Sequence, residues 1–170
     1  FLMVLVLVIG VMASACSQEP DVEGKKIIMG LDDTFAPMGF RDASGQIVGF
    51  DIDLAKEMAA RNGWELEFQP IDWSMKETEL NAGNIDLIWN GYTITELRKE
   101  MVNFSTPYLA NAQVVVVLKD SPITNLNDLI GKSVATQAES SSLDAARAEV
   151  GFIESLKDGK LIEYATFTDV

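Results

Sequence analysis

A short stretch near the middle of the chain, DLIWNGYTITELRKEM (86–101), carries groups that can bind a small polar ligand. Asn90, Gly91 and Thr93 follow directly on an apolar run, 85–89, that predicts a buried strand. In open α/β sheets, ligands bind beyond the carboxyl ends of the strands, where backbone groups and a hydroxyl can face them. The stretch therefore predicts a ligand-binding turn.

One arginine, Arg98, follows Asn90 of this turn by eight residues. Thr95 can cap the next helix, which places Arg98 near the first helical turn. A guanidinium there can form a paired hydrogen bond to a carboxylate, helped by nearby helix-terminal N–H groups. The alternative is that Arg98 is a solvated helix charge, as we expect for its neighbour Lys99.

The residue inventory excludes several kinds of chemistry. The chain of 170 residues has no histidine and one cysteine, Cys16. These absences remove most zinc sites and the Ser-His-Asp and Cys-His arrangements, and we expect no metal and no cofactor. The formal net charge of −13 argues against nucleic acid and against binding anionic lipid by charge.

The N-terminal run, FLMVLVLVIGVMASA (1–15), is uncharged and almost wholly apolar. It is shorter than the roughly 18 residues of a spanning helix, and it predicts the apolar region of a secretory signal. Small residues lead into Cys16, and this sequence resembles the lipobox of bacterial lipoproteins. The resemblance implies a lipid anchor at Cys16, followed by a polar tether over 16–25. An ordinary signal peptide with a chance cysteine is the alternative.

From residue 26 onward, apolar runs that predict strands alternate with helical patterns of up to about three turns. In the first half we predict strands at 26–30, 46–50, 64–69 and 85–89, and helices at 51–63, 74–83 and 96–101. In the second half we predict strands at 112–118, 132–136 and 160–165, with helices at 125–129 and 140–150. The alternation predicts an α/β fold whose sheet is mostly parallel. The last three residues predict the opening of another helix, so we expect the chain to continue.

Several motifs agree in order and spacing with one protein family. They are GFDIDL (49–54), TIT (93–95) with Arg98, FS (104–105) and PY (107–108). Over residues 26–170 the chain resembles the polar amino acid branch of bacterial ABC-transporter solute-binding proteins, extracellular family 3. The resemblance implies a periplasmic-binding-protein-like fold: lobe 1 at 26–111, part of lobe 2 at 112–170, and a hinge near 109–114.

The same resemblance implies a function. Such a protein captures a free amino acid between its lobes and presents it to a membrane permease on the outer side of the cytoplasmic membrane. Two alternatives share the fold: a dehydratase acting on cyclic prephenate-like acids, and the ligand-sensing module of a receptor. Arg98 suits all three, whereas an anchor at Cys16 favours the free-standing binding protein.

The ligand contacts that the resemblance implies come from both lobes. Arg98 and the N–H groups of Ser140 and Ser141 would hold an α-carboxylate, while Phe35 and Trp73 would sandwich the side chain. The full implied set is Asp32, Phe35, Trp73, Asn90, Gly91, Thr93, Arg98, Gln137, Ser140 and Ser141.

Three of these implied contacts have plain alternatives. Asp32 can be a turn residue, and both aromatic rings can be core packing. Two other acids, Asp51 and Asp53, are interpreted as a helix cap and a solvated charge.

Two features depart from the family pattern or leave it incomplete. Glu139 stands where the family commonly has glycine, and its charge would disfavour a carboxylate if it pointed inward. The acidic residue that commonly binds the α-ammonium would lie beyond Val170. The partner of the ammonium is therefore not visible in this sequence.

The anchor can be tested on the natural precursor. Cys16→Ala removes the only cysteine of these 170 residues and the acylation site of the lipobox-like sequence, so we expect the protein to move from the membrane pellet to the soluble fraction. Cell fractionation followed by immunoblotting measures the change. Equal membrane retention of the variant and the parent would contradict lipidation at this residue.

Overall fold

The computed structural model describes residues 24–170, and the predicted signal, Cys16 and the tether up to residue 23 lie outside the described residues. The described part is mixed α/β, as predicted. Its strands are β1 (Lys26–Leu31), β2 (Thr34–Phe35), β3 (Gly39–Arg41), β4 (Ile47–Val48), β5 (Glu65–Pro70), β6 (Leu87–Ile88), β7 (Ala135–Gln137) and β8 (Ile162–Tyr164). Its α-helices are α1 (Phe50–Asn62), α2 (Lys76–Asn81), α3 (Glu96–Met101), α4 (Ser141–Ala148) and α5 (Phe152–Ser155). Single 3₁₀ turns cover Trp73–Met75, Leu126–Leu129 and Lys157–Gly159. None of the helices between residues 24 and 170 has the length and apolar character that a membrane span needs.

The central sheet holds β1 between β5 and β6, and all three strands run parallel. Met29 of β1 lies opposite Phe68 on one side and Leu87 on the other. Met29 and Leu31 are fully buried and pack with Ile52 of α1. An apolar strand with neighbours on both sides is what a covered parallel sheet requires.

Three loops leave the carboxyl edge of this sheet. Asp32 follows β1, Trp73 follows β5 by three residues, and Asn90 follows β6 by two. Because the strands are parallel, these loops meet at one edge, which is where α/β sheets bind ligands. The strand predicted over 85–89 is shorter in the structure, but its end still delivers Asn90 to this edge.

Gly49 connects β4 to α1 with φ 136° and ψ 175°, a conformation that is essentially restricted to glycine. A Cβ at this position would lie 2.4 Å from the carbonyl oxygen of Met38. The close approach allows the helix to begin here, because the N–H groups of Phe50 and Asp51 donate to the carbonyls of Pro37 (2.9 Å) and Met38 (3.0 Å).

The prediction that Asp51 caps α1 is wrong. Gly49 occupies the cap position, and Asp51 lies inside the first turn, fully buried. Its carboxylate accepts a hydrogen bond from the Tyr108 hydroxyl at 2.8 Å. The reason is that backbone carbonyls already accept the first N–H groups of the helix, so the side chain turns inward. Asp53 is exposed, as predicted.

The C-terminal part of the chain, which we define as 112–170, has its own small sheet and core. Strands β7 and β8 pair in parallel, and Leu129, Phe152 and Leu156 form a separate buried cluster. Ser140 caps α4, because its hydroxyl accepts from the Leu143 N–H at 3.3 Å, as predicted.

One sequence prediction in this part is wrong. Residues 112–118 are not a strand, and Val114 and Val116 are 74% and 85% exposed. A strand needs a neighbour for its backbone groups, and within the described residues no strand pairs with this segment. The prediction that a helix opens at 168–170 stays a prediction, because three residues cannot close an α-helical hydrogen bond; Thr166 Oγ1 donates to Asp169 at 2.7 Å.

The constraint at Gly49 predicts the effect of adding one methyl group. Gly49→Ala forces a clash with backbone atoms and a strained φ, so we expect a loss of at least about 3 kcal/mol in the free energy of unfolding. Gly45→Ala is the matched control, because Gly45 has φ 82° and no atom within 4 Å of its Cβ position. We expect the control to lose only about 1 to 2 kcal/mol. Urea unfolding compares the two, and equal losses would contradict the clash.

Candidate functional site

A cavity of about 620 Å³ lies between the carboxyl edge of the central sheet and the C-terminal part. Nine of the ten side chains implied as ligand contacts line its wall. They are Phe35, Trp73, Asn90, Gly91, Thr93, Arg98, Gln137, Ser140 and Ser141. The structure thus brings together residues that are up to about one hundred positions apart in the chain.

Asp32 is the one implied contact that does not line the cavity wall. It is 5% exposed, and its carboxylate accepts from Thr34 N (2.8 Å), Thr34 Oγ1 (2.6 Å) and Gln137 Nε2 (2.6 Å). The bond to Gln137 joins the central sheet edge to the C-terminal part. The other amide atom of Gln137, Oε1, is buried and has no hydrogen-bond partner among the described residues.

The turn after β6 is shaped by close packing. Gly91 has φ 60°, and the Phe35 ring would lie 3.1 Å from a Cβ at this position. Asn90 is 1% exposed, and Gly39 leaves room for it, because a Cβ on Gly39 would lie 2.6 Å from Asn90 Oδ1. Small residues on both sides therefore allow this turn to sit deep in the wall.

Asp51 lies behind the same turn. Burial raises the pKa of Asp51, and hydrogen-bond donors at Tyr108, Gly91 and Trp89 offset this only in part. Only the Tyr108 bond is well formed; Asp51 Oδ2 has no well-oriented partner among the described residues, so the other two donors act at longer range. The carboxylate thus faces the backbone of the ligand turn from the side opposite the cavity.

Arg98 is buried, so it is not the solvated helix charge that the sequence left as an alternative. The capping Thr95 hydroxyl accepts from the Arg98 N–H at 3.2 Å, and the side chain is 5% exposed. Its guanidinium lies 4.5 Å from the centre of the Tyr92 ring and donates to the carbonyls of Thr93 (3.1 Å) and Glu139 (3.2 Å). A guanidinium has five N–H groups, so most of them remain for another acceptor.

The turn before α4 supplies the opposite wall. Glu139 has φ 53°, a left-handed conformation that glycine adopts at lowest cost, and this explains why glycine suits the position. The Glu139 side chain is exposed, while its carbonyl points to Arg98. The next N–H groups, at Ser140 and Ser141, precede the first intrahelical bonds of α4 and have no helical partner.

The two aromatic residues of the implied set line the cavity but already pack against other rings. Phe35 stacks on Phe167 with ring centres 4.7 Å apart, and Trp73 meets Tyr92 edge-on at 5.7 Å. Phe167 was not identified from sequence, because a single aromatic residue after a strand carries no distinctive signal. The rings form a wall, and the structure does not leave both of their faces open.

Sequence reasoning also missed a buried charged group next to the cavity. Lys76 is 3% exposed, and it contacts Glu77 at 3.2 Å. Glu77 in turn accepts from the Tyr92 hydroxyl at 2.5 Å. The sequence pattern of a short polar helix predicts that Lys76 and Glu77 are solvated. Lys76 is buried and Glu77 is partly buried because they pack behind Tyr92, whose ring contacts Arg98. Between residues 24 and 170, no group of acidic, histidine or cysteine side chains could hold a metal ion.

Comparisons with known proteins agree with this geometry. A sequence model of the bacterial extracellular solute-binding proteins, family 3, matches residues 27–162. The arginine-binding extracellular protein ArtP of Bacillus subtilis is 40% identical over 113 residues, which cover 66% of this chain and 44% of ArtP.

Solved structures give the same result. A histidine-bound substrate-binding protein of an ABC uptake transporter from Streptococcus pneumoniae has a TM-score of 0.80 and 43% identity, over 85% of this chain and 59% of that one. An ancestral amino acid-binding protein described as a precursor of cyclohexadienyl dehydratase has a TM-score of 0.77 and 34% identity, over 85% and 63%. These neighbours confirm the periplasmic-binding-protein-like fold. The chain spans about half the length of the curated relatives it matches.

The buried carboxyl behind the ligand turn predicts a pH effect. The pKa of Asp51 is raised above its ordinary value of 3.8, so this group stabilises the fold below about pH 3.8 and loses that contribution as pH rises through its folded-state pKa. Asparagine does not titrate. We therefore expect the stability of Asp51→Asn, relative to the parent, to increase from about pH 3 toward neutral pH.

Urea unfolding across this pH range measures the effect. Asp53→Asn is the matched control, because Asp53 lies in the same helical turn and is exposed. The same pH slope in both variants would contradict the raised pKa of Asp51.

Proposed function

The chain belongs to the bacterial extracellular solute-binding proteins of family 3, and on that basis we propose that it captures a free amino acid between two lobes and delivers it to an ABC importer. The lobes are residues 26–111 and 112 onward, joined by a hinge near 109–114. Closure of the lobes around the amino acid would create the form that the membrane permease recognises.

The observation that carries this proposal is the placement of Arg98. Arg98 is buried and lines the same cavity as Ser140 and Ser141, which belong to the C-terminal part. A cation and two free backbone donors at the start of a helix form a site for a carboxylate. Every free amino acid has an α-carboxylate, so this part of the site selects the class of ligand.

We propose that the ligand has a polar or cationic side chain. Gln137 lines the cavity wall, its Nε2 is held by the Asp32 carboxylate, and its Oε1 has no hydrogen-bond partner among the described residues. An acceptor of this kind suits a ligand that brings donors, such as a guanidinium, an imidazole or an ammonium. The relatives that bind arginine and histidine, according to their names, agree with this choice.

A dehydratase is the second candidate, because one structural neighbour is a precursor of such an enzyme. Among the described wall residues, the charged side chains are Arg98 and Lys132. Arginine stays protonated and therefore binds anions without exchanging protons, and Lys132 is exposed to solvent, outside a water-excluded site. This favours capture of a ligand over turnover.

We propose that the protein is held at the outer face of the cytoplasmic membrane by a lipid on Cys16. The small residues before this cysteine and the polar segment after it support the proposal. A tether of about ten residues can extend by roughly 30 Å, which leaves the binding domain free to meet a permease.

A thermal-shift screen of the twenty amino acids on the full-length protein tests the proposed function. We expect the largest increase in melting temperature with arginine, histidine or lysine, because a bound ligand stabilises the folded state. No shift with any amino acid would contradict the proposal. A shift only with acidic or apolar amino acids would contradict the choice of a polar or cationic side chain.

Arg98→Ala should weaken binding of the best amino acid from this screen by at least tenfold. A hydrogen bond to a charged group contributes about 1.5 to 3 kcal/mol, and each 1.4 kcal/mol is a factor of about ten in affinity. Arg98→Lys should recover only part of the loss, because an ammonium cannot reproduce the paired geometry. Calorimetric titration measures both.

Lys99→Ala is the matched control, because Lys99 is the next residue on α3 and its side chain is 50% exposed. It should bind as the parent does. Since Arg98 is buried, thermal unfolding must first show that the Arg98→Ala protein is folded at the titration temperature. Unchanged affinity in that folded variant would mean that the carboxylate has another partner.

A further inference from the structure

Lys76 is the most deeply buried lysine among the described residues, and all of its donors are occupied. Its ammonium donates to the carbonyls of Trp73 (3.1 Å) and Glu139 (3.2 Å) and lies 3.2 Å from Glu77 Oε2. An ammonium has three N–H groups, so none remains for a ligand. Lys76 is also absent from the cavity wall. It is therefore built to hold other groups in place.

The group that Lys76 shares with the site is the Glu139 carbonyl. This oxygen accepts from Lys76 Nζ and from Arg98 Nη2, each at 3.2 Å. The Ser140 N–H belongs to the same trans peptide group and lies on the side opposite the carbonyl, so fixing this oxygen fixes the direction of that N–H and the start of the turn that carries the Ser141 N–H. Two cations of the N-terminal part thus hold one carbonyl of the C-terminal part.

A second path connects Lys76 to Arg98 behind the wall. Glu77 bridges the Lys76 ammonium and the Tyr92 hydroxyl, and the Tyr92 ring supports the Arg98 guanidinium at 4.5 Å. The Glu77 side chain is only 17% exposed, so this charge is poorly screened by water. Lys76, Glu77 and Tyr92 therefore form a continuous support for the carboxylate-binding cation.

We propose that Lys76 is a positioning residue for the ligand carboxylate: through the Glu139 carbonyl it holds the Ser140–Ser141 amides opposite Arg98 when the two parts of the chain are together. This inference rests on the proposed function, since it assigns a role in amino acid capture. It predicts that the role of Lys76 is specific to ligands that carry a carboxylate.

The charges around Lys76 add a pH dependence to the same role. Burial lowers the pKa of Lys76, and the like charge of Arg98 lowers it further, while Glu77 and Glu139 act in the opposite direction. A bound carboxylate would favour the ammonium and raise this pKa again. Binding then takes up a proton, so affinity falls as pH rises through the Lys76 pKa of the free protein.

The experiment compares amino acids with their amides on the full-length protein. L-arginine and L-histidine are titrated beside L-argininamide and L-histidinamide, which keep the side chain and lack the carboxylate. In Lys76→Met we expect the affinity for the amino acids to fall about tenfold and that for the amides to change much less. Lys76→Arg, which keeps a buried cation, should retain more of the preference for the acid. Lys99→Met is the control, because it removes an exposed lysine from the neighbouring α3.

Glu77→Gln gives an independent test with Lys76 still in place, in case Lys76→Met does not fold. Without the Glu77 charge, Lys76 should lose its proton at lower pH, and the alkaline decline in L-arginine and L-histidine affinity should move to lower pH. Titration of the ligand amino group affects parent and variant equally and cancels in the comparison.

The outcomes separate the two proposals. If the parent binds neither amino acid nor amide, the proposed function fails. If the parent prefers the amino acids and folded Lys76→Met keeps the same preference, the positioning role is wrong while amino acid capture stands. If the decline in affinity at alkaline pH occurs at the same pH in Glu77→Gln as in the parent, the role of Lys76 would likewise be overturned.

Discussion

The carbonyl oxygen of Glu139 is the contact on which the arrangement of the site depends. It accepts from Lys76 and Arg98, two buried cations of the N-terminal part, and it belongs to the turn that begins α4. The turn can present this oxygen only because Glu139 has φ 53°, which costs about 1 to 2 kcal/mol for a residue with a side chain. Two charge-assisted hydrogen bonds, which are stronger than neutral ones, offset that cost. The local strain at Glu139 is therefore linked to a contact that joins the two walls.

A second contact between the N-terminal and C-terminal parts involves a buried acid that lies outside the cavity wall. Asp32 and Gln137 are both almost fully buried and share a hydrogen bond of 2.6 Å. This contact pairs a carboxylate with a neutral amide, whereas the contact at Glu139 involves two cations. Phe35, which lines the cavity wall, stacks on Phe167 with ring centres 4.7 Å apart.

The parts of the fold that sequence could predict are those set by local pattern. The apolar run of β1, the helix α1 and the Ser140 cap follow from periodicity and capping chemistry, and each lies within a few residues of its predicted place. The strand prediction for 112–118 was wrong because an apolar run forms a strand only if a neighbouring strand pairs with it. The prediction that Asp51 caps α1 was wrong because the carbonyls of Pro37 and Met38 already accept hydrogen bonds from the first N–H groups of the helix. Sequence alone does not show these distant acceptors.

The charges of the site mark a further limit of sequence reasoning. Lys76 and Glu77 on a short polar helix carry the pattern of a solvated face, and the acidic net charge of −13 gives no hint of a cationic pocket. The structure shows that burial reverses this expectation, because a charge removed from water acts on its neighbours at a low effective dielectric while surface charges are screened. Lys76 and Arg98 together carry two positive charges, and Glu77 balances one of them. The group therefore retains one net positive charge beside the cavity, and a single carboxylate neutralises it. On the proposed function, that local balance, and not the charge of the whole chain, would favour a ligand with a carboxylate.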